Sequence, residues 1–270
     1  MSHVSEAMKK SHGDWINLPQ ESGESAPRPA QMYVPPKRKE LPVIDPKDAH
    51  YSRALVTWHD PTGTISEQFR ALRIRLMAHY KDRPFVLIVT SAQSGEGKTV
   101  TCLNLAFAMA AHRDLHTVVV DCDFRRNGIA VLLHDDAPAG LADVLRGQAQ
   151  PADVIRPTPF PNLSVVLAGK TTRAEACELL SKPELDDMVR YLKRTYEHIL
   201  FDTPPANMLC DAGAVGRVAG EALLVVRMNR TRRESVMEAV RHFEAVKVNV
   251  AGLVLTGQKY FIPNYLYRYS

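Results

Sequence analysis

The sequence predicts an α/β fold in which a mainly parallel sheet is covered by helices on both faces, in three layers. Apolar runs of strand length alternate along the chain with segments of helical periodicity, an order typical of parallel sheets with helical crossovers. Several runs contain uninterrupted apolar stretches, such as residues 85–89 and 199–201. That pattern is typical of strands buried on both faces.

The predicted elements follow this alternation in order. Strands are expected at 85–90, 117–121, 163–167, 198–202, 222–227 and 250–255, and helices at 98–111, 184–196 and 232–246. A further helix is predicted over 65–80, where apolar residues recur at helical spacing and Thr64 with Glu67 forms a capping box. Ligands of parallel sheets bind beyond the carboxyl ends of the strands, so site residues are expected there.

Composition divides the 270-residue chain into three parts. Residues 1–50 hold seven of the eighteen prolines and few aliphatic side chains, which predicts a disordered or partner-dependent arm. Residues 51–259 are predicted to form one α/β domain, and residues 260–270 form a tail with four of the nine tyrosines. The net charge of +4 is mild, so no nucleic-acid partner is expected. The chain shows neither an apolar run of membrane-spanning length nor a secretory leader, and we expect a cytoplasmic protein.

A glycine-rich loop follows the first predicted strand and fits the Walker A spacing, with Ala92 where the common pattern has its first glycine. Glycines let successive backbone N–H groups turn toward phosphates, and the following helix points its positive end at the same anion. Lys98 supplies a cation, and Thr99 offers a hydroxyl to Mg²⁺. ATP and Mg²⁺ are therefore the predicted ligands. The predicted nucleotide contacts are Gln93, Ser94, Gly95, Glu96, Gly97, Lys98, Thr99 and Val100.

Two later strands end in carboxylates. Asp121 and Asp123 follow the second strand, with Arg125 two residues further on, and Asp202 ends the strand before Pro204. One carboxylate of the Asp-x-Asp pair can hold the water shell of a metal while the other accepts a proton from a hydroxyl. Asp202 is the natural partner of the loop hydroxyl in holding Mg²⁺, either directly or through a water molecule bound to the ion. The predicted metal residues are Thr99, Asp202 and Asp121, and the predicted catalytic residues are Lys98, Asp121, Asp123 and Arg125.

These motifs carry a resemblance to a known family. Residues 91–99, 118–125 and 199–204 are similar to the Walker A, A′ and B motifs of the bacterial tyrosine kinases of exopolysaccharide loci, called BY-kinases, including autokinases encoded beside exosortase systems. These are P-loop NTPases of the MinD/ParA-like superfamily, so residues 51–259 are expected to form a P-loop ATPase or kinase domain. The resemblance implies an ATP-dependent protein-tyrosine autokinase that regulates capsular or exopolysaccharide polymerisation and export.

The resemblance also implies sites and partners. The phosphoacceptors are Tyr260, Tyr265, Tyr267 and Tyr269, modified in trans within a homo-oligomer. Glu67, Arg70 and Arg73 match a segment that forms a ring contact in relatives. A separate membrane-anchored chain-length regulator would activate the kinase and recruit it to the cytoplasmic face of the inner membrane. A cognate tyrosine phosphatase would reverse the modification.

Other interpretations remain open at this stage. The charged helix residues can pair within their own helix, and the tail tyrosines can pack against the domain or alternate along an edge strand. The chain can also be a ParA/MinD-type ATPase switch, although Gln93 stands where that class usually has a lysine, or an ATP-binding scaffold. Four positions depart from the BY-kinase pattern: Ser94, Asn127, Ala130 and Thr256, the last standing where relatives have an asparagine that can read adenine.

Overall fold

A computed structural model describes residues 44–112, 115–136, 138–172, 174–207 and 211–258. The four tail tyrosines and most of the predicted N-terminal arm lie outside the described residues. Of the arm, residues 44–50 are described, and they include a single turn of 3₁₀ helix, Pro46–Asp48. Within the described ranges, no helix is long and apolar enough to cross a membrane.

A seven-stranded sheet forms the centre of the domain, as the alternation predicted. The strands are β1 (Phe85–Ser91), β2 (Thr117–Asp121), β3 (Ile155–Pro157), β4 (Leu163–Val166), β5 (His198–Asp202), β6 (Glu221–Arg227) and β7 (Asn249–Thr256). Their order is β3-β4-β2-β5-β1-β6-β7. All neighbours pair in parallel except β3 and β4, which are antiparallel.

Helices cover both faces of this sheet. They are α1 (Val56–His59), α2 (Thr64–His79), α3 (Lys98–Ala110), α4 (Gly128–Leu133), α5 (Leu141–Leu145), α6 (Pro151–Val154), α7 (Glu175–Leu180), α8 (Glu184–Lys193), α9 (Asp211–Ala219) and α10 (Arg233–Ala245). Strands β1, β2 and β5 are buried at every residue, and two separate hydrophobic clusters fill the two sides of the sheet. The predicted three-layer fold is therefore confirmed.

Parallel pairing brings the predicted site residues to one edge. In the ladder between β2 and β5, Asp121 lies directly opposite Asp202, and in the ladder between β1 and β5, Val89 lies opposite Asp202. The phosphate loop leaves β1 two residues after Val89. The carboxyl ends of the three central strands therefore meet at the start of α3.

The predicted capping box at α2 is wrong. The residue that caps the helix is Gly63, no side chain caps it, and Thr64 is already its first residue. Glu67 instead binds Arg70 within the helix.

The sequence predicted neither β3 nor the helices α1, α4 to α7 and α9. Segments of three to six residues are too short to show a clear period. The nine-residue helix α9 contains Gly213 and Gly216, which are poor helix formers.

Candidate nucleotide-binding site

The phosphate loop joins β1 to α3 and depends on two glycines. Gly95 has φ of 80° and Gly97 has φ of 96°, conformations that side chains disfavour. Gly97 is the residue immediately before α3, so the loop turns directly into the amino end of the helix. Because the first N–H groups of a helix have no partner within it, this end of α3 is suited to binding phosphate.

The side chain of Glu96 closes the loop on itself. This residue is 2% exposed, and its Oε2 accepts a hydrogen bond from the backbone N–H of Gln93 at 2.7 Å. Its Oε1 accepts a hydrogen bond from the hydroxyl of Thr231, on the segment between β6 and α10. The backbone carbonyl of Glu96 accepts one from Thr256 Oγ1 at 2.7 Å. Glu96 thus tethers the phosphate loop to the ends of β6 and β7.

Two further contacts reinforce this tether. Arg227 Nη1 donates to the carbonyl of Gly95 at 3.1 Å, and Gln93 Nε2 donates to Ser235 Oγ at 3.0 Å. No sequence motif predicted a role for Thr231 or Arg227, and Thr256 stood out only as a departure from the family pattern. No local signal marks them, because the tether is made across long sequence separations.

Lys98 occupies the centre of the site, among the predicted carboxylates. Its Nζ lies 2.7 Å from Oδ2 of Asp123 and 3.9 Å from Oδ1 of Asp202, and 3.3 Å from the Thr99 hydroxyl. Burial opposes the charged form, but Asp202, Asp123 and Asp121 outweigh it, so the pKa of Lys98 is raised. The ammonium group remains charged at neutral pH.

Asp121 supports the backbone of the loop that follows β2. Its Oδ1 accepts a hydrogen bond from the N–H of Asp123 at 2.9 Å, and its Oδ2 accepts one from the N–H of Ile129 at 3.1 Å. Burial and the nearby Asp202 raise the pKa of Asp121 well above its ordinary value. The structure therefore gives Asp121 a loop-shaping role and places Asp123 against Lys98.

Asp202 is the carboxylate best placed for a metal. It is fully buried, and neither of its oxygens meets a hydrogen-bond donor in good geometry among the described residues. Burial raises the pKa of Asp202 to about 6, while Lys98 and the hydroxyl of Thr99 oppose that rise. A buried carboxylate without a full set of partners, beside a threonine hydroxyl, fits one edge of a magnesium site.

The acidic side chains alone do not make a metal centre. In the described ranges, no group of three or more His, Cys, Asp or Glu side chains is arranged to hold a metal ion. Mg²⁺ usually takes one or two carboxylates and completes its shell with water and substrate phosphates, so Thr99 and Asp202 would be enough to hold the ion without a third acidic side chain. A bound Mg²⁺ would neutralise charge on the transferred phosphate.

Arg125 is held by Asp211, a residue that no sequence pattern marked. Its Nε and Nη2 each lie 3.3 Å from Oδ2 of Asp211, a buried residue at the start of α9. Burial raises the pKa of Asp211, and Arg125 opposes the rise. The pair ties the loop after β2 to α9, so Arg125 has a structural contact in addition to its predicted charge role.

The three charged residues predicted for a subunit interface also make contacts within the chain. Glu67 pairs with Arg70 on the exposed side of α2, and Arg73 Nη1 donates to the carbonyl of Ala108 at 2.8 Å, in the last turn of α3. Arg73 therefore ties α2 to α3, whatever else it contacts.

Together, the fold and the site define a P-loop nucleotide-binding protein. Residues 86–249 match the family described as AAA domain, and the chain belongs to that family. The chain is 30% identical over 197 residues to the tyrosine-protein kinase wzc of Salmonella typhi, covering 73% of this chain and 27% of that protein. It is 26% identical over 214 residues to the tyrosine-protein kinase YwqD of Bacillus subtilis, covering 79% of this chain and 90% of that protein.

Solved structures give the same grouping. The kinase domain of the Escherichia coli tyrosine kinase ETK superposes with a TM-score of 0.70 at 26% identity, covering 78% of this chain and 84% of that one. MinD from Pyrococcus horikoshii, complexed with Mg-ADP, gives a TM-score of 0.56 at 26% identity, covering 67% and 75%. The resemblance to bacterial tyrosine kinases with a MinD-like fold is confirmed, although the chain spans only about a quarter of the length of wzc (27%).

Proposed function

We propose that this chain is an ATP-dependent protein-tyrosine kinase that phosphorylates tyrosines of its own C-terminal tail. One observation carries the proposal: a buried lysine, Lys98, lies between Asp123 and Asp202 at the end of a glycine-rich loop. This arrangement provides a cation for the phosphates, a carboxylate for a metal and a second carboxylate for a proton. The similarity to wzc and YwqD, both named tyrosine-protein kinases, supports tyrosine as the acceptor.

The proposed mechanism begins with an exchange of partners at Lys98. When ATP enters, its phosphates replace Asp123 as the partner of the ammonium group, and the loop amides bind the same phosphates. Asp123 is then free to accept the phenol proton. The phenol oxygen forms a bond to the γ-phosphorus as the bond to the β–γ bridging oxygen breaks, and ADP leaves with that electron pair. Thr99 and Asp202 would hold Mg²⁺, which would neutralise charge on the phosphates.

We further propose how the activity is used. Tyr260, Tyr265, Tyr267 and Tyr269 would be phosphorylated in trans within a homo-oligomer that uses Glu67, Arg70 and Arg73 at its contacts. A separate membrane-anchored chain-length regulator would activate the kinase at the cytoplasmic face of the inner membrane. Through it, the kinase would control polymerisation and export of a capsular polysaccharide or exopolysaccharide, and a tyrosine phosphatase would reset the cycle.

Phosphotyrosine mapping tests the reaction. Purified full-length protein, alone and fused to the cytoplasmic segment of the regulator, is incubated with Mg-ATP and analysed by mass spectrometry. We expect phosphate on the tail tyrosines, and none with Lys98→Met. Mixing Lys98→Met protein with active protein that has all four tail tyrosines changed to Phe tests transfer in trans, since only the Lys98→Met chains can then be labelled. Unmodified tyrosines in the fusion protein would refute the kinase proposal.

A second candidate is an ATPase switch of the MinD type, favoured by the structural similarity to MinD. Such a protein would dimerise with ATP and release phosphate to water. The same incubation distinguishes the two, because the switch gives free phosphate and nucleotide-dependent dimers without phosphotyrosine. An ATP-binding scaffold would give neither phosphotyrosine nor appreciable hydrolysis.

A further inference from the structure

The segment from the end of β6 to the first turn of α10 is strongly basic. Residues 227–234 contain Arg227, Arg230, Arg232 and Arg233 against one acid, Glu234, a net charge of +3 from four positive and one negative side chains. All four arginines are exposed. We call residues 227–234 the arginine loop.

The arginine loop borders the phosphate loop directly. Arg227 binds the carbonyl of Gly95 at 3.1 Å, and Nη1 of Arg230 lies 3.9 Å from where a Cβ on Gly95 would be. Arg232 and Arg233 stand at the amino end of α10, where no side chain caps the helix. Positive charge and the free N–H groups of a helix start both favour an anion.

Neighbouring acidic groups leave this charge largely uncompensated. Glu96 is buried and already bound by Thr231 and by the N–H of Gln93, and Glu238 accepts a hydrogen bond from Asn207. None of Arg230, Arg232 and Arg233 forms an ion pair with a described residue. Guanidinium groups of this kind are the preferred partners of phosphate.

The C-terminal tail begins beside the arginine loop. Thr256 pairs with Arg227 across the β6–β7 ladder. The carbonyl of Thr256 accepts a hydrogen bond from the N–H of Met228 at 2.9 Å. A Cβ on the next residue, Gly257, would lie 3.3 Å from Cγ of Arg227. Tyr260 follows Thr256 by four residues, a span of at most about 14 Å. The tail can therefore reach the arginine loop of its own chain.

Phosphorylation would invert the charge of the tail. Residues 259–270 carry Lys259 and Arg268 and no acidic side chain, so the unmodified tail is repelled by the arginine loop. Each phosphate adds about −1.5 to −2 charges, and two phosphates therefore make the tail a net anion.

We propose that the arginine loop is a binding site for the phosphorylated C-terminal tail of the same chain. Arg230, Arg232 and Arg233 bind the phosphotyrosine phosphates at the edge of the phosphate loop. The phosphorylated tail is thereby bound by its own chain, which keeps it away from the neighbouring subunits. This inference rests on the proposed kinase function, which would supply the phosphotyrosines.

A synthetic peptide tests the site without any kinase activity. A fluorescent peptide of residues 259–270, with phosphotyrosine at the four tyrosine positions or with none, is titrated into full-length protein whose four tail tyrosines are changed to Phe. We expect the phosphopeptide to bind at least about tenfold more tightly, with an affinity that falls as salt rises. Inorganic phosphate at matched concentration should not displace it.

Two matched triple variants provide the controls. Arg230→Ala with Arg232→Ala and Arg233→Ala should reduce phosphopeptide affinity to that of the unmodified peptide. Arg83→Ala with Arg217→Ala and Arg241→Ala removes the same charge from exposed sites outside the arginine loop, and should leave most of the affinity.

Three results would overturn the site: equal binding of the two peptides, equal loss in both triple variants, or binding of phosphatidylserine vesicles through the arginine loop without binding of the phosphopeptide. A positive peptide result together with failed autophosphorylation would refute the kinase proposal alone. Successful autophosphorylation with no preference for the phosphopeptide would refute this inference alone.

Discussion

The Nζ of Lys98 lies 2.7 Å from Oδ2 of Asp123, much nearer than its 3.9 Å distance to Oδ1 of Asp202. The cation proposed to bind ATP is therefore paired with the carboxylate proposed to accept the phenol proton. In the proposed mechanism the two groups stay paired until the phosphates of ATP replace Asp123 as the partner of Lys98. The pair keeps both buried charges neutralised, and it predicts different consequences for the two residues of the Asp-x-Asp motif.

Changing Asp123 to Asn should abolish most of the phosphotransfer and leave ATP binding intact. Loss of the proton acceptor is expected to lower the rate of transfer by about 10²–10⁴-fold. ATP binding should persist, because a neutral Asn side chain at this position no longer competes with the phosphates for the ammonium group of Lys98. Single-turnover phosphorylation measures the first effect, and nucleotide titration measures the second. A normal rate in this variant would exclude Asp123 as the base.

The matched substitution, Asp121→Asn, should lower the stability of the folded domain. Asn has only one acceptor oxygen, whereas Asp121 accepts from two backbone N–H groups, so one buried donor loses its partner. The free energy of unfolding should fall by about 1–3 kcal/mol, measured by urea denaturation. Unchanged stability with lost activity would instead make Asp121 the reactive carboxylate.

Gly128→Ala should weaken Mg-ATP binding through Thr99. A Cβ at Gly128, the first residue of α4, would lie 3.0 Å from both Cγ2 and Oγ1 of Thr99, so the hydroxyl must shift. A cost of about 1 kcal/mol corresponds to about fivefold weaker binding, measured by calorimetry with Mg-ATP. Gly213→Ala is the control, since its Cβ would meet only Val246 at 3.9 Å. Equal effects of both variants would rule out this explanation.

Two variants of α2 distinguish its role in the stability of the domain from its predicted role in assembly. These variants are Arg73→Ala and Arg70→Ala. Loss of the Arg73 hydrogen bond to Ala108 is expected to lower the free energy of unfolding by about 1–2 kcal/mol. Loss of the exposed pair between Arg70 and Glu67 should cost only about 0.2–0.5 kcal/mol. If α2 forms a subunit contact, sedimentation of Arg70→Ala will show smaller assemblies at nearly normal stability. Unchanged assembly in both variants would contradict the predicted interface.

His198 should make the domain less stable in mild acid. Burial lowers the pKa of His198 to about 4, whereas in the unfolded chain it is about 6.5. Between these values the unfolded state binds the proton more readily, so stability is lost as the pH falls from 6.5 toward 4, by at most about 3 kcal/mol.

The difference between wild type and His198→Phe isolates this effect. The pKa of Asp202 is raised to about 6, so this residue increases the stability of the fold as the pH falls. That contribution is present in both proteins and cancels in the difference. His198 stacks on Phe85 at 4.4 Å, so an aromatic replacement keeps the packing. Thermal unfolding across this pH range should show a smaller loss of stability for the variant. Parallel pH profiles would show that His198 does not titrate on unfolding.

How much of the site was predictable depends on the distance between its parts along the sequence. The phosphate loop and the strand-terminal Asp121 and Asp202 stand in continuous local patterns, and their convergence followed from the parallel sheet. Thr231 stands in no motif, and Thr256 stood out only as a departure from the family pattern. They contact Glu96 across separations of 135 and 160 residues, and their partner could be found only after the order of β1, β6 and β7 was known.

The sequence by itself determined the alternating fold, the glycine loop and the carboxyl-end position of the reactive groups, because local periodicity and strand direction are sufficient for these. Only the tertiary structure decided which carboxylate pairs with Lys98, since Asp121 and Asp123 share one motif. The side chain of Asp121 accepts hydrogen bonds from two backbone N–H groups. The side chain of Asp123 pairs with the buried ammonium group of Lys98. Burial makes unpaired donors and charges costly, and it thereby separates two residues that the motif alone cannot distinguish.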